Sequence, residues 1–298
     1  MVRIVSLLPS TTEILFAIGA GDDVVGVTFE CDFPAQARSR RIVSNTTLPS
    51  GLSPSQIDAE VKARVAAGED LYRLDEGALR DLDPDIVVTQ DLCAVCAVDV
   101  ANVDQALQYL GCHAQVITID PMTLEGVLAS IEALGSATTN EDNAADLVAS
   151  LRARLGAVEA AVRGRPRPRV AVLEWTDPLF CAGHWVPDLV EAAGASPVLG
   201  LAGQRSVEIL PQAVLDSQPD LVVVAPCGYR LQGAIELARR LPAAQVVPPA
   251  AQLWAVDADA MFVRPGPRLV DGVETLAAIA HPEVFPVPTE AAFRVIGN

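Results

Sequence analysis

Short apolar runs alternate with amphipathic segments along most of this chain, which predicts alternating strands and helices. In the first half the apolar runs predict strands near residues 3–8, 24–28, 85–90 and 115–119. In the second half they predict strands near residues 169–174, 221–225 and 252–256. Helical spacing predicts helices near residues 11–19, 54–67, 75–81, 98–110 and 268–280. Such alternation is typical of an α/β fold with parallel sheets.

One helical stretch is much longer than the others, from Thr123 to about Val162. Its apolar residues follow helical spacing: Leu124, Val127, Leu128, Ile131, Leu134, Leu147, Leu151, Leu155 and Val158. The triplet Asn140-Glu141-Asp142 permits a second helix start inside the stretch. We therefore predict a rigid helical spine that links two lobes.

The two halves of the chain echo one another. Pro84-Asp85 and Pro219-Asp220 each precede an apolar run, and each run leads into a loop with a cysteine. The echo predicts two similar lobes with a ligand cleft between them. We expect an N-terminal lobe at residues 1–122, the linking spine helix at 123–164 and a C-terminal lobe at 165–298.

The charge balance excludes several partners. A formal net charge of −17 argues against binding to nucleic acid or anionic lipid, since both need a cationic surface. No stretch of about 20 apolar residues is present for membrane insertion. The first residues lack the pattern of a secretory signal, so the expected location is cytoplasmic. The six cysteines are then expected to be free, metal-binding or catalytic.

Polar and aromatic residues gather in the loops that follow the predicted strands, where α/β sheets bind ligands. Trp175 and Trp185 lie near each other in a chain with 4% aromatic residues, which indicates either a stacking surface or core packing. The full set of candidate ligand-binding residues is Ser10, Thr11, Thr12, Asp91, Trp175, Asp177, Trp185, Tyr229, Phe262 and Arg264.

Several of these candidates also have a structural interpretation. Ser10, followed by Glu13, fits a capping box, although a helix start also binds anions. Arg264 fits either an anionic ligand or an ion pair at the surface with a nearby aspartate. His184 fits either a metal ligand or proton donor, or a hydrogen bond near the helix start at Pro187.

Cys93 and Cys96 form a Cys-x-x-Cys pair at a predicted helix start, where the helix dipole lowers a thiol pKa. Cys31 lies between Glu30 and Asp32 after an earlier strand and is a candidate third ligand. Three thiolates suit zinc, iron or copper. The alternative is that the two paired cysteines are small buried apolar residues.

Residues 6–15 and 19–28, together with the Pro-Asp strand at residues 82–88, resemble class III substrate-binding proteins, the helical-backbone binding proteins of ABC importers. The likeness covers nearly the whole chain and is closest to the vitamin B12-binding branch. It implies two Rossmann-like lobes joined by one long helix, with the ligand held between them. Residues 30–34, 91–96 and 177–185 look like a cytoplasmic offshoot of that family that is described as cobalamin-binding.

The leading functional hypothesis is a cytoplasmic, non-catalytic binding protein for a corrinoid (cobalamin-like) or another metal chelate. The first alternative is a metal-dependent enzyme on the same scaffold, with Glu30, Asp32 or His184 as general acid or base. The second alternative is a metallochaperone. No Gly-x-Ser-x-Gly or His-Glu-x-x-His motif favours the enzyme, and the expected location argues against an importer partner.

Overall fold

Two compact units make up the fold, each with one β-sheet. A computed structural model describes residues 2–90 and 114–296. The first unit contains Met1–Pro121 and Leu128–Val148, and the second contains Met122–Val127 and Ala149–Asn298. The α/β class predicted from the sequence is confirmed.

The sheet of the first unit has six strands: β1 (Ile4–Ser6), β2 (Val24–Thr28), β3 (Arg41–Thr46), β4 (Tyr72–Leu74), β5 (Ile86–Thr89) and β6 (Gln115–Thr118). They lie in the order β4-β3-β2-β1-β5-β6. All neighbours are parallel except β3 and β4. Parallel strands are covered on both faces, and the side chains of Val5 and Val87 are accordingly fully buried.

The helices of the first unit are α1 (Pro9–Ala17), α2 (Pro54–Ala67) and α3 (Glu76–Leu82), with short 3-10 helices at Gly21–Asp23 and Ala35–Ser39. Helix α2 has the bounds that the sequence predicts because its ends are clearly marked. Ser53 and Gln56 form a capping box at its start, and Gly68 ends it in the left-handed region. The helix predicted near residues 98–110 lies outside the described residues.

The long segment predicted as a spine is helical, but it consists of two helices. These are α4 (Leu124–Ala137) and α5 (Glu141–Val162). Between them Thr139 has φ 55° and the backbone N–H of Asn140 donates to the carbonyl of Gly135 at 2.8 Å. The break falls where Asn140-Glu141-Asp142 permits a second start. Both helices contribute residues to each unit.

The sheet of the second unit has seven strands: β7 (Arg169–Thr176), β8 (Leu179–Cys181), β9 (Ser196–Pro197), β10 (Val207–Glu208), β11 (Leu221–Val224), β12 (Gln252–Val256) and β13 (Ala292–Ile296). The order is β10-β8-β7-β11-β12-β13, and β9 pairs with β7. The central strands β7, β11 and β12 are parallel, as predicted, whereas β8, β10 and β13 pair antiparallel. The sheets are therefore mixed at their edges.

The helices of the second unit are α6 (Val186–Ala192), α7 (Pro211–Asp216), α8 (Leu231–Ala238), α9 (Ala258–Met261) and α10 (Leu269–Ala280). A buried cluster in this unit includes Leu173, Val222 and Leu253 from the three central strands. Of all the helices in the described part of the chain, none is both long and apolar enough to cross a membrane.

The internal echo corresponds to one hydrogen-bonding arrangement made twice. The backbone N–H of Arg3 donates to the carboxylate of Asp85 at 2.8 Å, and the N–H of Arg169 donates to Asp220 at 2.8 Å. In return, the N–H of each aspartate donates to the carbonyl of its arginine at 2.8 Å. The Pro-Asp pair therefore fixes the register at which a strand joins the sheet in each unit.

Candidate functional site

Most of the described candidate residues lie at the carboxyl ends of parallel strands or in the loops and first helical turns that follow them, the edge where α/β sheets bind ligands. In the first unit these loops follow β1 and β2, and in the second they follow β7, β11 and β12. The loop after β5, which contains Asp91, Cys93 and Cys96, lies outside the described residues.

A closed set of hydrogen bonds joins the hydroxyl groups that follow β1. Thr12 Oγ1 donates to Ser6 Oγ at 2.8 Å, and Ser6 Oγ lies 2.7 Å from Thr11 Oγ1. Both threonine hydroxyls also reach the carbonyl of Leu8, at 3.2 and 3.0 Å. All of these side chains are buried. Thr11 and Thr12 therefore hold the strand–helix junction together, and their hydroxyls are committed to partners within the protein.

The capping box predicted for Ser10, Thr11 and Thr12 is wrong. Helix α1 begins at Pro9 and its N-cap is Leu8, which has no side-chain hydrogen bond to the helix. Proline is favoured at the first helical position because its φ is already helical and it has no N–H to satisfy. The three hydroxyl residues consequently lie within the first turn, where threonine bonds back to a preceding carbonyl.

Cys31 extends this cluster to the second loop. Its Sγ lies 3.0 Å from Thr12 Oγ1, and 3% of the residue is exposed. On either side of it, Tyr72 donates to Glu30 Oε2 at 3.4 Å and Arg38 pairs with Asp32 at 3.5 Å. The structure therefore brings Cys31 together with the hydroxyl cluster, while the neighbouring carboxylates each have a partner of their own.

The predicted metal site depends on residues that the structure does not describe. Of Cys31, Cys93 and Cys96, only Cys31 lies within the described residues. In residues 2–90 and 114–296, no three His, Cys, Asp or Glu side chains are grouped so that they could hold a metal ion. The thiolate site at these three cysteines stays a prediction.

In the second unit two aromatic rings meet at the carboxyl edge of the sheet. Trp175, near the end of β7, contacts Tyr229, after β11, with ring centroids 5.9 Å apart and an interplanar angle of 62°. The indole N–H of Trp175 donates to the carbonyl of Asp177 at 3.1 Å. Both rings are partly exposed, and Asp177 is exposed. Burial raises the pKa of the Tyr229 hydroxyl, which keeps the phenol neutral at physiological pH.

Trp185 and Phe262 have a different environment from Trp175. Trp185 is 7% exposed and Phe262 is 1% exposed, and the indole N–H of Trp185 donates to the carbonyl of Phe262 at 2.7 Å. These two aromatic residues lie in the core of the second unit and join the start of α6 to the end of α9. They offer a ligand little surface.

His184 lies in a strained position before α6. Its φ is 51°, its N–H donates to the carbonyl of Gln204 at 2.6 Å, and its Nδ1 lies 3.5 Å from Ser206 Oγ. The Nε2 atom is buried and has no hydrogen-bond partner among the described residues. Burial, with a smaller contribution from the charge of Arg205, lowers the pKa of this imidazole. His184 is therefore neutral at physiological pH and joins the loop at residues 199–206 to the start of α6.

Arg264 makes an ion pair with Asp259, as its structural interpretation predicts, but the pair is not at the surface. Arg264 Nη2 lies 3.0 Å from Asp259 Oδ2, and the two side chains are 10% and 15% exposed. Asp257 caps α9 by accepting from the N–H of Ala260 at 3.3 Å, and burial raises its pKa.

Two exposed residues in the loop after β11 were not among the sequence candidates. Arg230 and Cys227 are both exposed, and Arg230 Nε lies 4.0 Å from Asp259 Oδ2. Their position next to Tyr229 at a strand end was the available signal. The described cysteines Cys31, Cys181 and Cys227 are all free thiols.

Comparison with known families gives one match that covers most of the chain. A family model described as periplasmic binding protein matches residues 4–252. Two curated proteins are similar over most of their length. An ABC transporter substrate-binding lipoprotein of Bacillus subtilis is 27% identical over 294 residues, which cover 95% of this chain and 81% of that protein. A vitamin B12-binding protein of Photorhabdus laumondii is 23% identical over 234 residues, covering 75% and 70%.

A solved structure has the same fold. A periplasmic haem-binding protein of Pseudomonas aeruginosa superposes with a TM-score of 0.73 and 20% identity, over 99% of this chain and 98% of that one. At this identity the likeness concerns the fold.

Proposed function

The chain belongs to the periplasmic binding protein family, and we propose that the solute it binds is a corrinoid or a similar flat metal chelate. The family makes it a substrate-binding protein associated with ABC transport. The chemistry of the solute is our proposal, and one observation carries it. This observation is the partly exposed pair of Trp175 and Tyr229 at the carboxyl edge of the second sheet.

The two rings suit a flat ligand because a tryptophan and a tyrosine present large apolar faces at a low cost in side-chain entropy. Exposed Asp177 and Arg230 flank the pair in sequence and give polar groups for the rim of such a ligand. By contrast, Trp185 and Phe262 are buried, so we assign the ligand face to Trp175 and Tyr229 alone.

The relatives add support to this proposal. Vitamin B12 and haem, the solutes in the names of two similar proteins, are both flat macrocycles that hold a metal. A corrinoid carries neutral amides around its ring, whereas haem carries carboxylates. The net charge of −17 disfavours the anionic haem at long range, which is why we favour the corrinoid.

Calorimetric titration of the intact protein with cyanocobalamin, and separately with haemin, tests the proposal. We expect saturable binding of one cyanocobalamin per chain, weaker binding of haemin, and about a tenfold loss of affinity in Trp175→Leu. Phe293→Leu is the matched control because Phe293 is 40% exposed but lies on the edge strand β13. Binding of neither macrocycle by the wild type would refute the proposal.

The cytoplasmic location, the thiolate metal site and the enzyme and metallochaperone alternatives stay predictions. Cell fractionation tests the location. Elemental analysis of protein purified without an affinity tag tests the metal at Cys31, Cys93 and Cys96.

A further inference from the structure

We infer that Arg264 and Asp259 are positioning residues, which hold the loop of Tyr229 against Trp175 through their ion pair. This inference rests on the proposed function only for its ligand measurement, because the order of the loop is measurable in the free protein.

The ion pair is internal, and this makes it a strong constraint. The distance from Arg264 Nη2 to Asp259 Oδ2 is 3.0 Å, with 10% and 15% of the side chains exposed. Removing one partner takes a 3.0 Å hydrogen bond from a charge that stays mostly desolvated, which is costly. The backbone around Asp259 is therefore fixed relative to Arg264, which lies five residues further along the chain.

The same backbone is bonded to the aromatic loop. The N–H of Asp259 donates to the carbonyl of Tyr229 at 3.1 Å, and the N–H of Tyr229 donates to the carbonyl of Pro226 at 3.1 Å. Tyr229 in turn contacts Trp175 edge to face. A continuous set of contacts thus runs from Arg264 through Asp259 to the two rings.

Arg264 is poorly placed to contact a ligand directly. With a tenth of its side chain exposed and its Nη2 bonded to Asp259, the guanidinium offers a ligand little surface. Arg230, 65% exposed and 4.0 Å from the same carboxylate oxygen, is the cation of this edge that faces solvent. Arg264 therefore positions the loop, whereas Arg230 faces the solvent or the solute.

Acrylamide quenching of tryptophan fluorescence in the free protein measures the order of the loop. Trp185 and Trp254 are buried, so Trp175 is the indole that acrylamide reaches most readily. We expect Arg264→Met and Asp259→Ala to increase quenching, because the loop is then released from Trp175. Arg264→Lys keeps the positive charge, and the contact of Arg264 Nη2 with Asp259 involves one nitrogen. We therefore expect this variant to show acrylamide quenching close to the wild-type value.

The affinity for cyanocobalamin should fall in Arg264→Met and Asp259→Ala, the variants with increased quenching, and stay near the wild-type value in Arg264→Lys. If the free loop is in its binding-competent position a tenth of the time, the apparent affinity falls about tenfold. Asp259→Asn keeps the size of the side chain and one acceptor oxygen. It replaces Arg264→Met or Asp259→Ala in both measurements if either of those variants fails to fold. Its effect on quenching should lie between those of wild type and Asp259→Ala.

The matched control breaks another ion pair of the same unit. Glu274→Gln weakens the more exposed pair with Arg154 that joins α10 to α5, so it should leave acrylamide quenching unaltered. Unchanged quenching in both Arg264→Met and Asp259→Ala would overturn the inference. So would a loss of cyanocobalamin affinity with unchanged quenching, because Arg264 would then contact the ligand directly. If the wild type binds no corrinoid, the proposed function fails while the quenching result still decides the inference.

Discussion

Replacement of Trp185 by phenylalanine should destabilise the protein and leave its solute affinity nearly unchanged. The substitution removes a buried indole N–H that donates to the carbonyl of Phe262 at 2.7 Å. Losing a buried donor costs about 1–3 kcal/mol. The smaller ring also leaves a void at a site that is 7% exposed, which adds about 1 kcal/mol.

The expected loss in the free energy of unfolding is therefore about 2–4 kcal/mol, or a fall in Tm of about 5–10 °C. Thermal unfolding followed by far-UV circular dichroism measures it, and calorimetric titration with cyanocobalamin measures the affinity. The companion variant Trp175→Phe should reverse the pattern, because its ring is partly exposed and lies in the proposed ligand face. An unchanged Tm in Trp185→Phe together with a weakened affinity would refute the assignment of Trp185 to the core and of Trp175 to the ligand face.

The remaining predictions concern the loop at residues 199–206 and His184, whose N–H donates to the carbonyl of Gln204 in that loop. Gly200→Ala should destabilise by about 3 kcal/mol or more, since φ is 76° and a Cβ would clash with the carbonyl oxygen of Ala182. Gly203→Ala, with φ 71° but only one contact at 3.8 Å, should cost about 1 kcal/mol, and urea titration measures both losses. His184 has a folded pKa below its unfolded value of about 6.5, so its stabilisation is complete above pH 6.5 and declines as the pH falls toward the folded pKa. Urea titrations across this window should show a slope of at most about 1.4 kcal/mol per pH unit that His184→Asn removes; an unchanged slope would contradict the assignment.

The central strands could be predicted from the sequence because burial on both faces gives continuous apolar runs. Strand β11 (Leu221–Val224) and the predicted strand at 221–225 agree within one residue. Strand β13, at one edge of the second sheet, was missed for the converse reason. In β13, Phe293 and Arg294 are exposed, and this strand pairs on one side only with β12 among the described strands. A short, partly polar edge strand has no periodicity that separates it from a loop.

The start of α1 could have been predicted from Pro9. The pattern of Ser10 and Glu13 predicts a later start, but proline at the first helical position is the stronger signal here. The hydroxyl cluster with Cys31 could not have been found in the same way. It depends on a contact between Thr12 in helix α1 and Cys31 in the loop after β2, 19 residues apart in sequence.

The roles of Trp175 and Trp185 could not be separated by sequence. Both were predicted to line a ligand surface, and what distinguishes them is one partner. Trp185 bonds to Phe262, 77 residues away, whereas Trp175 bonds to Asp177, two residues away. The ion pair of Arg264 was among the sequence interpretations, but its burial depends on how α9 packs, and no local pattern encodes that.

Hydrogen–deuterium exchange with and without cyanocobalamin tests most directly where the solute binds. If Trp175 and Tyr229 form the ligand face, saturating cyanocobalamin slows exchange in residues 226–230 and around Trp175, with little change in the buried core strand β11 or the edge strand β13. Slower exchange confined to other parts of the second unit, or no change anywhere at saturating concentration, would contradict it.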